Sequence, residues 1–420
     1  MLRDRAGMRG IIARDASDVN ATHYGQAYSL APGTMRGGPA CRVSHSLGWA
    51  SSRAAAEVLL RTARPAGRDL VNDTYIIYGA NGYTGELIAR EAVARGHHPV
   101  LAARRAEAVA PLASELGLEH RAFGLEGPAA LDAGLRGARA VLHCAGPFSR
   151  TAAPMVEACL RVRAHYLDIT GEVEVFESLA ARNEAARAAG VTILPGVGFD
   201  VVPSDCLAAH LKRRLPTATR LALAFQPSAG ISRGTATTMV ENAHRGGLVR
   251  RGGRLTRVPP AWKTRTIDFG HGPLRAVTIP WGDVSTAFHS TGIPDIEVYL
   301  AAPAAVRIGL RLARSFRGLL ARPAVKSFLT RRIRRGPAGP DAGQRARGHT
   351  LLWGEAADGQ GGRVVSRLRG PEGYAFTVLT ALASIEPVLA GQAPAGFQTP
   401  SRAFGADFVL GVPGVTREDV

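Results

Sequence analysis

From Val71 onward, short apolar runs alternate with longer segments whose apolar positions recur at helical spacing. The runs predict strands near 75–79, 98–103, 120–123, 139–145, 165–169 and 191–195. The intervening segments predict helices near 84–95, 106–116, 128–136, 151–163 and 173–189. Strands that follow one another through helical crossovers run parallel, and a sheet built this way is covered on both faces. Residues 71–202 are therefore expected to form a doubly wound α/β domain of the Rossmann type. After Asp205 the period changes to two. Alternating runs at Arg220–Gln226, Arg254–Val258, Thr264–Phe269, Leu274–Ile279 and Ile296–Ala301 predict a mostly antiparallel sheet. That sheet belongs to a second, α+β domain over 203–420. Thr350–Ala356 and Gly362–Arg369 read as a hairpin, and Pro280–Asp283 as a loop joining two strands. Tyr374–Leu389 is apolar nearly all round and predicts a helix buried on both faces. This helix and the tail after it are expected to pack back on the first domain. Residues 1–70 show no sustained period. They are expected to be either a disordered extension or a spurious one upstream of the true start, with Met8 and Met35 as internal starts.

Composition narrows the class. No apolar run approaches the roughly 20 residues that a membrane span requires. No apolar segment follows the first basic residues, so no secretory signal is expected. Cys41, Cys144, Cys159 and Cys206 form no C-x-x-C pair, so a reduced, cytoplasmic protein without a metal is expected. The 52 basic and 34 acidic residues give a net charge of +18. This reflects either an Arg-rich coding bias or an anionic partner. Aromatics are 6% and are not interleaved with the basic stretches, so nucleic acid is not expected. The charge is most one-sided at Ala304–Arg335, where Val306, Leu310, Ala313, Phe316 and Leu320 recur along an apolar face. Pro323 splits that region into two predicted helices. They either pack on their own domain, lie on an anionic membrane surface, or meet an acidic partner. Gly336–Gly348 reads as a linker. The oligomeric state is open, with a homodimer as one option.

Candidate chemistry gathers where the first strand ends. Gly79, Gly82 and Gly85 follow the run YIIY and open a helix, with Asn81, Tyr83 and Thr84 between them. A glycine turn between a strand and a helix N-terminus cradles a dinucleotide diphosphate. The second strand ends in Arg104 and Arg105, with no acid at its tip. Guanidinium groups there suit a 2′-phosphate, so NADP is expected, with NAD as the alternative. Otherwise the two arginines simply start a solvated helix. The fourth strand runs into Ala145, Gly146, Pro147 and Phe148, either a crevice wall or a rigid turn. The fifth and sixth strands bring Tyr166, Asp168, Glu172, Asp200 and Asp205. These five are the candidates for proton donor or substrate anchor. Glu172 otherwise serves as a first-turn acid, and Asp205, like Ser204, as a helix cap. Trp281, Asp283 and His289 either line the substrate cleft or belong to the core.

GANGYTG, CAGPF, HYLDITGE and GFDVVPSD, in this order, resemble the saccharopine dehydrogenase-like oxidoreductases. That family includes trans-acting enoyl reductases of bacterial polyketide-lipid assembly. PWGDVSTAFHSTGIPDIEVY, LLWGEA and GFQTPSRAFG extend the likeness toward the C-terminus. The resemblance implies an N-terminal NADP-binding Rossmann domain. Gly79, Asn81, Gly82, Thr84 and Gly85 match its cofactor loop, Arg104 its 2′-phosphate position, and Ala145–Phe148 its nicotinamide-side loop. Ala103 departs from the glycine more usual there. No catalytic acid or base is carried over. The expected activity is hydride transfer from NADPH to an enoyl or imine substrate, of acyl or other small-molecule type. Two alternatives stand beside it. One is a saccharopine reductase, for which Arg233 and Lys263 are available as carboxylate anchors. The other is a non-catalytic, membrane-associated nucleotide binder.

Overall fold

The computed structural model describes residues 74–227, 230–312 and 315–420. The extension over 1–70 lies outside the described residues. The first sheet is built from β1 (Tyr75–Tyr78), β2 (Val100–Ala103), β3 (His120–Ala122), β4 (Ala140–His143), β5 (His165–Asp168) and β6 (Thr192–Leu194). The intervening helices are α1 (Tyr83–Ala94), α2 (Ala106–Leu116), α3 (Pro128–Gly134), α4 (Phe148–Val162), α5 (Val173–Ala180) and α6 (Asn183–Ala189). The strand order is 6-5-4-1-2-3, and every pairing is parallel. The chain reverses direction across the sheet between β1 and β4, where doubly wound proteins hold their ligands.

Why the strands read as unbroken apolar runs is visible in the packing. Successive side chains of a strand point to opposite faces. Ile76 and Tyr78 enter one core with Val100 and Val141, while Tyr75 and Ile77 enter the other with Leu101 and Leu142. Both faces are covered, so neither parity can be polar. The second core is closed by the helix at Gly373–Leu389, whose Val378, Ala381, Leu382, Ile385 and Val388 pack over this face. The tail then adds a further strand, Gly396–Phe397, to the sheet edge beside β6.

The second sheet has nine strands. A hairpin of Gly247–Arg251 and Arg254–Val258 flanks a main path that contains 220–227, 264–268, 273–278, 295–301, 349–357, 363–371 and 416–419. Its pairings are antiparallel except that 295–301 runs parallel to 220–227. The expected loop at Pro280–Asp283 is corrected too: the segment enters a helix, Asp283–Thr291, between strands 273–278 and 295–301, which pair antiparallel with each other. Strands 247–251, 396–397 and 416–419 carry little apolar alternation of their own. They form because a neighbour offers a row of unpaired backbone groups. The predicted helix over 173–189 is two helices, and the basic region forms three, at 304–312, 317–321 and 323–334.

Candidate dinucleotide site

The turn after β1 is tight because glycine permits it. Gly79 adopts φ +85°, and the N–H groups of Gly79 and Ala80 both donate to the Ala102 carbonyl at 2.7 and 3.3 Å. A Cβ on Gly79 would stand 2.8 Å from Ala145 Cβ, so the tips of β1 and β4 meet only across a glycine. A Cβ on Gly85 would fall 2.4 Å from the Gly79 carbonyl oxygen. Gly82 N donates to that same oxygen at 2.9 Å and closes the loop. α1 then starts with Gly82 as its N-cap, and no side chain caps its first turn. Asn81 and Gly82 are exposed. An uncapped helix start beside a glycine turn suits a diphosphate, and the helix dipole adds to that fit.

Thr84 lies in this first turn, half-buried. Tyr83 turns to the other half of the protein. Its hydroxyl donates to the Pro340 carbonyl, and its ring meets Tyr374 edge-on at 5.1 Å. Arg345 donates to the Tyr83 hydroxyl at 3.0 Å, and a Cβ on Gly339 would lie 2.6 Å from the ring. Residues 339–345 thus form a strap over the cofactor loop, where the sequence suggested only a linker. Arg104 and Arg105 stand exposed at the tip of β2, and neither meets a carboxylate among the described residues.

Opposite the cradle, α4 starts at Phe148, three residues earlier than expected, so the turn Ala145–Pro147 abuts a helix N-terminus. Thr151 Oγ1 donates to the Ala145 carbonyl at 2.7 Å, and Phe148 N donates to Glu172 Oε1 at 2.8 Å. Glu172 is therefore a brace for the turn. Glu172→Ala removes an acceptor worth about 1.5–3 kcal/mol to a charged hydrogen bond. It is expected to weaken NADPH about tenfold by calorimetry, whereas Glu172→Gln, which keeps a carbonyl acceptor, restores most of the loss.

Three of the expected proton donors are placed differently from the expectation. Tyr166 is fully buried and donates to Asp168 Oδ2 at 2.7 Å. Asp168, also fully buried, accepts from the N–H groups of Thr170 and Gly196 at 3.0 and 2.9 Å. Burial raises its carboxyl to about 6, against the hydrogen bonds that lower it. The pair ties the tips of β5 and β6 together inside the sheet. Asp205 is buried as well. It accepts from Ser290 Oγ and from Ser401 N at 2.8 Å, so it anchors the tail.

Asp200 is the different one. It is half-buried, and no hydrogen bond reaches its carboxyl among the described residues. Burial raises that carboxyl to about 7. Trp281 Nε1 donates to the Asp200 backbone carbonyl at 2.9 Å, and a Cβ on Gly171 would lie 2.8 Å from Asp200 Oδ2. Gly171 adjoins Glu172, so Asp200 sits beside the braced turn. Its charge also reaches Tyr374, the residue that meets Tyr83 edge-on.

Trp281 packs its ring on Phe225 at 4.6 Å, and His289 lies edge-on to Phe397 at 5.1 Å. Burial lowers the His289 pKa. Asp283 is completely buried with neither carboxylate oxygen hydrogen-bonded. Ser204, whose hydroxyl is engaged by the Val201 carbonyl, lies near enough to moderate its pKa but misses hydrogen-bond geometry. Burial, with Asp205 and Asp200 nearby, holds the Asp283 carboxyl well above the usual range. Tyr374 was missed in the sequence. Its only local signal is its place in the first turn of an apolar helix, after the N-cap Glu372.

The reversal of strand order between β1 and β4, the glycine cradle and the uncapped helix start define a dinucleotide-binding α/β protein. Residues 75–194 match the family described as saccharopine dehydrogenase NADP binding domain, as the four sequence motifs had suggested. That match supports binding of NAD(P) by this part of the chain. A trans-acting enoyl reductase of Mycobacterium leprae is 34% identical over 151 residues, which are 33% of this chain and 35% of that protein. The human saccharopine dehydrogenase-like oxidoreductase is 29% identical over 152 residues, 31% of this chain and 35% of that protein. The alignments thus span about a third of these relatives' length. Over the larger part of the chain the likeness is one of fold. Yeast saccharopine dehydrogenase (L-Glu forming) superposes with a TM-score of 0.59 at 10% identity, covering 83% of this chain and all of that one. Among the described residues no helix is long and apolar enough to cross a membrane, and no group of His, Cys, Asp or Glu is arranged to hold a metal.

Proposed function

We propose that the protein is an NADPH-dependent oxidoreductase that reduces a carbon–carbon double bond conjugated to a carbonyl. The observation that carries this reading is Asp200, a half-buried carboxyl raised to about 7 beside the turn that faces the glycine cradle. NADPH held by the 79–85 turn would supply the hydride for the β-carbon. The chain's own part is to hold the turn 145–148 through Glu172, to cover the cradle with the 339–345 strap, and to deliver a proton to the α-carbon from Asp200. A donor whose pKa lies near the working pH suits that task. The trans-acting enoyl reductases among the relatives support the enoyl substrate.

The imine alternative has less support. Lys263 Nζ is held by Glu297 at 2.6 Å and lies over the Trp262 ring, and Arg233 is directed to the Arg334 carbonyl at 3.4 Å. Both cations offered for a polycarboxylate are thus already engaged. Nicotinamide absorbance, followed with enoyl thioester, imine and keto substrates, tests the assignment. Consumption of NADPH with the enoyl compound is expected. No turnover with any of the three would leave a nucleotide binder without chemistry.

The preference for NADP rests on Arg104, which is exposed at the β2 tip and meets no carboxylate among the described residues. A charge-assisted bond to the 2′-phosphate is worth about 2 kcal/mol, or roughly 30-fold in affinity. Arg104→Glu is expected to weaken NADPH by at least that factor and to leave NADH unchanged. Equal effects on both cofactors in a titration would remove the assignment.

A further inference from the structure

Residues 304–335 carry ten Lys or Arg and no Asp or Glu. Leu310, Val325, Leu329 and Ile333 are half-buried, and the helix at 323–334 lies against that at 233–242, but other apolar side chains stay outside. No described residue of 304–312 or 323–334 is buried. Ile308, Leu312, Phe316 and Phe328 are 54%, 55%, 54% and 60% exposed. Ile308 and Leu312 are four apart and share a face, and Phe328 shares one with Arg331 and Arg332. Arg307 and Arg311 fasten the first helix to the Ala302 carbonyl and Thr264 Oγ1. Among the described residues, no carboxylate pairs with Arg322, Arg331, Arg332, Arg334 or Arg335.

Beside the last helix lies a cavity of about 560 Å³. Lys326, Arg331 and Arg334 line it from that helix, Arg245 from the turn after 233–242, and Arg150 from α4, just past the nicotinamide-side turn. Glu241 is its one carboxylate, while Arg245 is paired with Glu174 outside the lining.

We propose that residues 304–335 dock the protein on an anionic phospholipid bilayer, with a lipid phosphate entering this cavity. Charge alone suits any polyanion. The half-exposed Ile308, Leu312, Phe316 and Phe328 favour a bilayer over a purely ionic partner, because a bilayer boundary takes apolar side chains and cations together. The docking does not depend on the reaction proposed above. It would place the opening beside Arg150, and so the turn at 145–148, near lipid-borne substrates.

Co-sedimentation of the full chain with vesicles tests this. Partition onto vesicles containing phosphatidylglycerol is expected to exceed that onto pure phosphatidylcholine at least tenfold, and to fall in about 0.5 M salt as screening shortens. Arg331→Glu/Arg334→Glu is expected to cost more than tenfold. Phe328→Ser, which changes no charge, is expected to cost severalfold. NADPH affinity measured alongside reports that each variant is folded. Equal partition onto both vesicle types would overturn the proposal. So would an unchanged Phe328→Ser combined with tight binding to an acidic protein or to nucleic acid, since a purely electrostatic partner would then account for the surface.

Discussion

Asp200→Asn is expected to lower kcat for the enoyl substrate by about 10²–10⁴, the usual weight of a positioned acid. NADPH affinity should stay as it is, because the Asp200 side chain lies against Gly171 and is not part of the 79–85 turn. Its pH behaviour is the sharper readout. With the carboxyl raised to about 7, kcat/KM in the parent enzyme should decline as pH rises through that value and the donor loses its proton. In the variant that limb should disappear. The same shift has a consequence for folding. The folded chain holds a proton that the unfolded chain releases near the ordinary carboxylate pKa. Stability from this group is therefore greatest at low pH and declines from about pH 4 to about pH 7. Asparagine cannot ionise, so thermal melts of the variant should lack that decline. A variant that keeps the parent kcat and the parent pH limb would show that the proton comes from elsewhere.

Gly85→Ala is expected to weaken NADPH and NADH alike by more than 100-fold, with a lower melting temperature. The cause is local. The added methyl would stand 2.4 Å from the Gly79 carbonyl oxygen and 2.9 Å from Ala80 Cα, both backbone atoms with no side-chain freedom to yield. The helix start must then move off the glycine turn. The diphosphate loses the amides that both elements present together, and overpacking itself costs about 1–3 kcal/mol. Calorimetry with each nucleotide measures the first effect and a thermal melt the second. If the variant bound NADPH normally, the cradle would lie somewhere else. The contrast with Arg104→Glu is useful, since that change should discriminate between the two cofactors and Gly85→Ala should not.

The dinucleotide half could be read from the sequence because its signals are local. β1 is four consecutive buried residues, since its two faces enter two cores. A glycine turn also demands glycine wherever the backbone must take positive φ or pass close to its neighbour. Distances across the chain were another matter. Tyr166, Asp168, Glu172, Asp200 and Asp205 are equivalent as residues at strand tips, and their surroundings separate them. Asp168 is satisfied by two backbone amides and a tyrosine, Asp205 by Ser290 and Ser401 N, and Glu172 by Phe148 N. Asp200 keeps an uncommitted carboxyl. Tyr374, nearly 300 positions beyond Tyr83, had no motif to announce it.

By itself, then, the sequence determined the parallel sheet, the glycine turn after its first strand and the likeness of 75–194 to a known family. Each of these depends on residues close together in the chain, where periodicity and backbone sterics act directly. The tertiary structure decided which of the strand-tip carboxyls are held by hydrogen bonds, that Pro340 and Arg345 close over the turn after β1, and that the tail adds a strand to the first sheet. Those outcomes depend on burial and on partners that folding brings from distant segments. A carboxyl's charge and reach follow from what surrounds it, and that is decided only when the chain is packed.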